Sequence, residues 1–295
     1  MDLDLVQTLV NGLAIGSSTA LVALGLAVVF NATGIFHIAQ GGVFLFAAYF
    51  TYLGCATLRW PFWLAVLLSL VLSTLLGVAC ELLVYRPMRA RRATSHTLFI
   101  ASLGLLFGME GFAALFWGSN PKMYPVQPLY GALRLGDLVL TYNRVATFGV
   151  SVLLTLLVCW LLLGTRLGKS IRALSNNPER AMLVGINVPR LLLVVFALGS
   201  ALAVAPAVLQ GMDRGTAPEG GLVVILLAGL ALILGGFGSL PGAVLGAYVL
   251  GILTSFATRY IGGEWSTAAV FVLLILILLV RPRGFFGERD VKVQV

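Results

Sequence analysis

Apolar residues run along this chain in long blocks, without the strict alternation of strands or the narrow stripe of a soluble helix. Nine blocks stand out, at residues 5–30, 38–55, 62–84, 97–117, 145–163, 191–211, 222–234, 243–257 and 266–280. A membrane-crossing helix needs about 20 mostly apolar residues. The seventh and eighth blocks are short and flank a glycine-rich break, so they read as two short spans or as one broken, re-entrant pair. The pattern predicts an all-α, polytopic transmembrane helical bundle with eight or nine spans, forming a single domain over residues 1–295.

Composition sharpens the picture. Of 295 residues, 60% are hydrophobic and 10% charged, where soluble domains carry about 25% charged residues. The acidic start, Met1-Asp-Leu-Asp-Leu5, lacks the basic region of a secretory signal, so the first block is expected to be retained as a span. The net charge of +8 is explained by topology, because cytoplasmic loops collect Lys and Arg. With loops 85–95 and 165–190 and tail 281–295 cytoplasmic, 13 of the 19 basic residues lie on one side. Nine spans then place the N-terminus outside and the C-terminus inside, and make segment 118–143 a small extracytoplasmic cap. Cys55, Cys80 and Cys159 fall in or beside apolar blocks, which argues against a disulfide framework or a zinc site.

The most informative polar segment is 165–190. Within it Asn177 suits a helix cap and Pro178 the first helical position. Glu179 favours the positive end of the helix dipole, and Gly185 suits a terminating turn. Gly164-Thr-Arg-Leu-Gly-Lys-Ser170 is not a phosphate-binding loop. It has three residues between its glycines where four are needed, and it follows an apolar span instead of a strand. The chain is therefore not expected to bind ATP by that means, and any energy from ATP would have to come from a partner.

Two glycine-interrupted elements share a spacing: Gly34-x-Phe36-x4-Gly41-x-Val43 and Gly235-x-Phe237-x4-Gly242-x-Val244. Paired breaks of this kind can mark a pathway at mid-membrane, though glycine is common in membrane helices. They make His37, Gln40, Gly41, Gly235 and Gly236 candidates for a translocation path. Glu110, inside the fourth block, is costly in lipid and should face a partner or an aqueous route. An interhelical hydrogen bond is its plain structural alternative. No metal site is expected, because His37 and His96 are the only histidines and no carboxylate–histidine cluster accompanies them.

The run 172–188, with Glu179-x-Ala181-x-x-x-Gly185 after Asn177-Pro178, resembles the coupling loop of ABC importer permeases, in which a short helix docks into an ATPase cleft. Asn11-Gly-Leu-Ala-Ile-Gly16, Tyr85-Arg-Pro-Met-Arg89, Leu234-Gly-Gly-Phe-Gly-Ser-Leu-Pro-Gly-Ala243 and Arg281-Pro-x-Gly284 extend the likeness. In order and over nearly the whole chain, they resemble permeases of high-affinity branched-chain amino-acid importers. The resemblance implies that Asn177, Pro178, Glu179, Arg180, Ala181, Met182, Leu183 and Gly185 couple to an ATPase. Ala181 would allow close approach, Met182 and Leu183 would anchor, and Glu179 and Arg180 would make rim contacts.

It also implies the partners. These are two cytoplasmic ABC ATPase subunits that bind ATP and Mg, a second homologous permease subunit, and an extracytoplasmic solute-binding protein, all at a bacterial inner membrane. The chain itself would be non-catalytic, hold no cofactor and bind no nucleic acid. Three departures bear on cargo. His37 and Gln40 stand where the family commonly has Asn and His, no lysine lies between Lys169 and Lys292, and Pro206 falls inside the sixth block, where it is expected to interrupt the helix. An ABC permease for urea or short amides is the nearest alternative. An ion-coupled secondary transporter would need more intramembrane carboxylates, and an intramembrane enzyme would need a nucleophile–base set.

Overall fold

The computed structural model describes residues 3–125, 128–129, 131–135, 138–281 and 284–286. In chain order the helices are α1 (Leu3–Thr33), α2 (Gln40–Tyr52), α3 (Phe62–Cys80), α4 (Arg86–Ala90), α5 (Ser95–Trp117) and α6 (Tyr142–Gly164). They continue as α7 (Arg166–Asn176), α8 (Pro178–Leu183), α9 (Val188–Arg214), α10 (Gly220–Gly235), α11 (Leu240–Tyr260) and α12 (Gly263–Val280). Among the described residues, six stretches are long and apolar enough to cross a membrane: α1, α3 with its extension through α4, α5, α6, α9 and α11.

The bundle is layered around α1 and α9. Most residues of α1 and α9 are buried, whereas fewer than a third are in α3, α5 and α6, as expected of helices bathed in lipid. Small residues set the closest approaches. A Cβ on Gly12 would lie 2.7 Å from the Ile252 Cα, and one on Gly16 would lie 2.8 Å from the Tyr248 Cα, so α1 and α11 meet almost backbone to backbone. By contrast, Gly104 and Gly108 on α5 have no such neighbour. Their spacing packs nothing within the described residues.

Four local features differ from the sequence expectation. First, α9 runs unbroken through Pro206. In a membrane helix, neighbouring groups absorb the backbone bond that proline removes. Second, α2 and α3 each end in a π-helical turn, Leu53–Thr57 and Glu81–Tyr85, closed by i→i−5 bonds such as Leu58 N–H to the Leu53 carbonyl, 3.0 Å. Third, segment 118–143 contains an antiparallel pair of strands, β1 (Ala132–Leu135) and β2 (Leu138–Thr141), with Leu135 opposite Leu138. Fourth, the eighth apolar block starts at Leu240 and forms a full-length helix.

Candidate functional site

The polar segment 165–190 folds as three helix starts in succession. The Thr165 hydroxyl accepts from Gly168 N–H (3.1 Å), the Asn177 side-chain oxygen from Arg180 N–H (3.0 Å), and the Asn187 oxygen from Arg190 N–H (3.2 Å). Each bond satisfies one of the free donors at a helix N-terminus. Helix α7 is amphipathic: Gly168, Ile171 and Leu174 are buried, while Arg166, Lys169 and Arg172 are exposed. Ile171 and Leu174 join a cluster with Val158, Leu162, Leu191 and Leu192. Arg172 also bonds the free Leu162 carbonyl near the end of α6. The segment is thereby anchored to the bundle.

On that base α8 forms a short peg. Pro178 takes its first turn, with Glu179 beside the N-terminus. Gly185, at φ +84°, reverses the chain in the left-handed region that glycine tolerates best. Ile186 N–H then returns to the Ala181 carbonyl, 3.1 Å. Met182, Leu183 and Val184 project outward, 54%, 86% and 76% exposed. Three consecutive exposed apolar side chains at the end of an anchored helix suit a docking surface. Ala181 is placed differently from the sequence expectation: it is 2% exposed and faces its own subunit. Its small size lets α8 sit down on the loop.

The interior candidates gather around an interruption between α1 and α2. Gly34, at φ +66°, ends α1, and the chain turns back into the bundle without helix until Gln40. His37 is fully buried. Its Nδ1 lies 2.8 Å from the Tyr85 hydroxyl, and its ring packs edge-on against Tyr85 and Phe196. The Gln40 Nε2 donates to the Gly199 carbonyl, 2.7 Å. That amide lies where α1 crosses α9, and a Cβ on Gly25 would stand 2.6 Å from it. Ala39 N–H donates to the Ser102 hydroxyl, 2.9 Å, tying the interruption to α5.

Gly41, at the start of α2, touches the start of α10. A Cβ on Gly221 would lie 2.7 Å from the Gly41 carbonyl oxygen. Glu110 reaches the same place from α5. Its Oε1 accepts from Leu222 N–H, 2.9 Å, so a carboxylate on one helix caps the N-terminus of another. This is the interhelical role the sequence left open. Helix starts inside a bundle, carrying paired glycines and a carboxylate, resemble the broken helices of transporters.

Gly235 and Gly236 are elsewhere, about 20 Å from Gly221 along α10 at 1.5 Å per residue. Gly235 lies against Gly242 of α11, and Gly236, at φ +98°, closes α10. Phe285 and Phe286 N–H donate to the Leu234 and Gly235 carbonyls, 2.8 and 2.9 Å. That contact gives the Gly284 motif a structural purpose that sequence reasoning missed; residues 282–283 lie outside the described residues. The end of α1, just before the first glycine break, meets the second break. Phe30 packs on Phe237 with ring centroids 5.1 Å apart, and the Asn31 amide donates to the Gly238 carbonyl, 3.2 Å. Among the described residues, no cluster of His, Cys, Asp and Glu could hold a metal ion.

These features, a lipid-exposed bundle with an interior interruption and an anchored peg, can be compared with known proteins. A family model described as "Branched-chain amino acid transport system / permease component" matches residues 8–280. The chain belongs to this family. The high-affinity branched-chain amino acid transport system permease protein BraD of Pseudomonas aeruginosa is 30% identical, over 97% of both chains. The corresponding LivH of Escherichia coli K12 is 29% identical, over 97% of this chain and 96% of its own. Among solved structures, PsaBC from Streptococcus pneumoniae in complex with Fab matches with a TM-score of 0.50 at 14% identity. It covers 92% of this chain and 91% of its own, a likeness of fold alone. The permease is thus a multi-pass membrane protein of the branched-chain amino-acid transport family.

Proposed function

We propose that the permease is the membrane-spanning subunit of an ATP-driven ABC importer, carrying branched-chain or related amino acids across a bacterial inner membrane by alternating access. The observation that carries this reading is the exposed apolar tip Met182-Leu183-Val184 on a capped helix anchored to the bundle. Two cytoplasmic ATPases hold ATP and Mg, and the tip and the Glu179–Arg180 rim receive their movement. A second, homologous permease subunit completes the membrane unit, and an extracytoplasmic binding protein delivers cargo. The shift between two global states needs contacts that differ between them. The meeting of α2, α5 and α10 at Gly41, Glu110 and Gly221 is a seam at which such contacts can change.

In this reading there are nine spans. Helix α2 with its π-helical turn, α10 and α12 join the six longer stretches, which puts the N-terminus outside, the C-terminus inside and the peg in the cytosol. His37, Gln40, Gly41, Glu110, Gly235 and Gly236 belong to the moving elements that bound the route. Urea or short amides would be favoured if His37 and Gln40 met cargo directly. Both side chains bond within the subunit, so amino acids remain the preferred cargo.

The test is co-expression with the ATPase and binding-protein subunits. Glu179→Arg and Gly185→Val should each reduce uptake to background while the permease stays in the membrane at wild-type level. Normal uptake by both variants would remove the coupling role of the peg.

A further inference from the structure

A second feature lies at the basic end of α3, away from the peg. Along its length α3 exposes Trp63, Leu67, Val71 and Leu75, each more than half accessible, and the following turn exposes Leu83 at 75%. Leu83 stands about 30 Å from Phe62 along the helix, the thickness of the hydrocarbon layer. There the π-helical turn Glu81–Tyr85 leads into α4, and a groove of about 300 Å³ opens between Leu83, Val84, Pro87, Met88 and Arg91. Its walls are apolar, and its rim is a guanidinium.

The charges around the groove are unbalanced. Arg89 is committed to the buried Glu81. Arg86, Arg91 and Arg92 are exposed and, among the described residues, have no carboxylate partner. Arg92 holds a left-handed backbone, φ +56°, a region that residues other than glycine seldom enter. The turn ends α4 and leaves Arg91 and Arg92 at the surface. An exposed guanidinium, Arg91, in the wall of an apolar groove, with exposed Arg86 and Arg92 close to it in the chain and all at the depth where acyl chains give way to headgroups, matches one kind of ligand. Guanidinium pairs bidentately with phosphate, and basic clusters at this depth attract anionic lipids.

We propose that this groove binds an anionic phospholipid, its phosphate held by Arg91 and Arg92 with Arg86 nearby and its glycerol and upper acyl carbons lying on Leu83, Val84 and Met88. The inference is independent of the transported cargo and of the peg.

The test uses the full chain in detergent, equilibrated with equimolar phosphatidylglycerol and phosphatidylcholine and examined by native mass spectrometry. The wild type should retain phosphatidylglycerol at least tenfold over phosphatidylcholine. The Arg86→Gln/Arg91→Gln/Arg92→Gln variant should lose that preference. Met88→Trp, which fills the groove and leaves the charge alone, should lower phosphatidylglycerol retention at least fivefold. Arg166→Gln/Lys169→Gln, which removes charge from α7 instead, should retain lipid like the wild type. Gel filtration checks that each variant remains monodisperse. Equal retention of the two lipids by the wild type overturns the proposal, as does wild-type retention by both groove variants. So does an α7 variant that loses as much lipid as the triple variant, because the attraction is then diffuse. If the triple variant keeps its lipid but no longer co-purifies with an ATPase, the patch is a protein contact and the proposal fails.

Discussion

Leu183→Ala isolates the docking surface from the fold. The side chain is 86% exposed at the tip of α8, so its loss should change the stability of the permease by no more than about 0.5 kcal/mol. If the tip enters a cleft on an ATPase, the complex buries what the free subunit leaves in water. Removing the equivalent of two to three methylene groups at about 0.8 kcal/mol each costs about 2 kcal/mol of docking energy. That corresponds to a roughly 30-fold weaker complex. Val184→Ala, 76% exposed, should cost less because fewer carbons are lost. The assay is titration of detergent-solubilised permease with its ATPase subunit by light scattering or calorimetry, with thermal unfolding of the permease alone as the control. An unchanged dissociation constant for Leu183→Ala, with unfolding also unchanged, would refute the assignment of this tip as the anchor.

Other consequences concern the bundle. Glu110→Ala should lower stability by about 1 kcal/mol, because Leu222 N–H loses its cap; Glu110→Gln keeps an acceptor and should unfold close to wild type. Arg89→Met leaves the Glu81 carboxylate, 1% exposed, without its counter-charge and should cost about 3–5 kcal/mol. The double variant Glu81→Met/Arg89→Met should recover most of that loss. Gly251→Val forces a side chain into the backbone of Gly12 and Gly16 and should destabilise by about 1–3 kcal/mol. Gly108→Val meets no neighbour among the described residues and should leave unfolding unchanged. Detergent thermal-shift midpoints for each set decide these cases.

Much of the peg was readable from residue types. Asn177, Pro178, Glu179 and Gly185 have the individual chemistries of cap, first turn, dipole partner and left-handed stop, and each sits in its role. Helix α7 was not read as a helix, although its signal is present. Buried Gly168, Ile171 and Leu174 recur at three-residue spacing opposite Arg166, Lys169 and Arg172, but beside long apolar blocks this short amphipathic stripe reads as a charged loop. The strand pair had a signal in the alternation Leu133, Leu135, Leu138, Leu140 around Gly136-Asp137. The π-helical turns had none, because an added residue within an apolar helix leaves no mark in composition. The partners of Glu110 and of Gly284–Phe286 are also contacts between distant segments, so no local pattern could show them. Ala181 was singled out for close approach to a partner, yet it faces its own subunit, because a helical pattern gives spacing without naming which face turns inward.

The most direct measurement reconstitutes the purified permease into proteoliposomes, with and without its ATPase subunits, and follows radiolabelled leucine delivered by the binding protein. Uptake that requires the ATPases and ATP, and that disappears with Glu179→Arg, is the expected result. Leucine movement by the permease alone, with no nucleotide-hydrolysing partner present, would contradict the account.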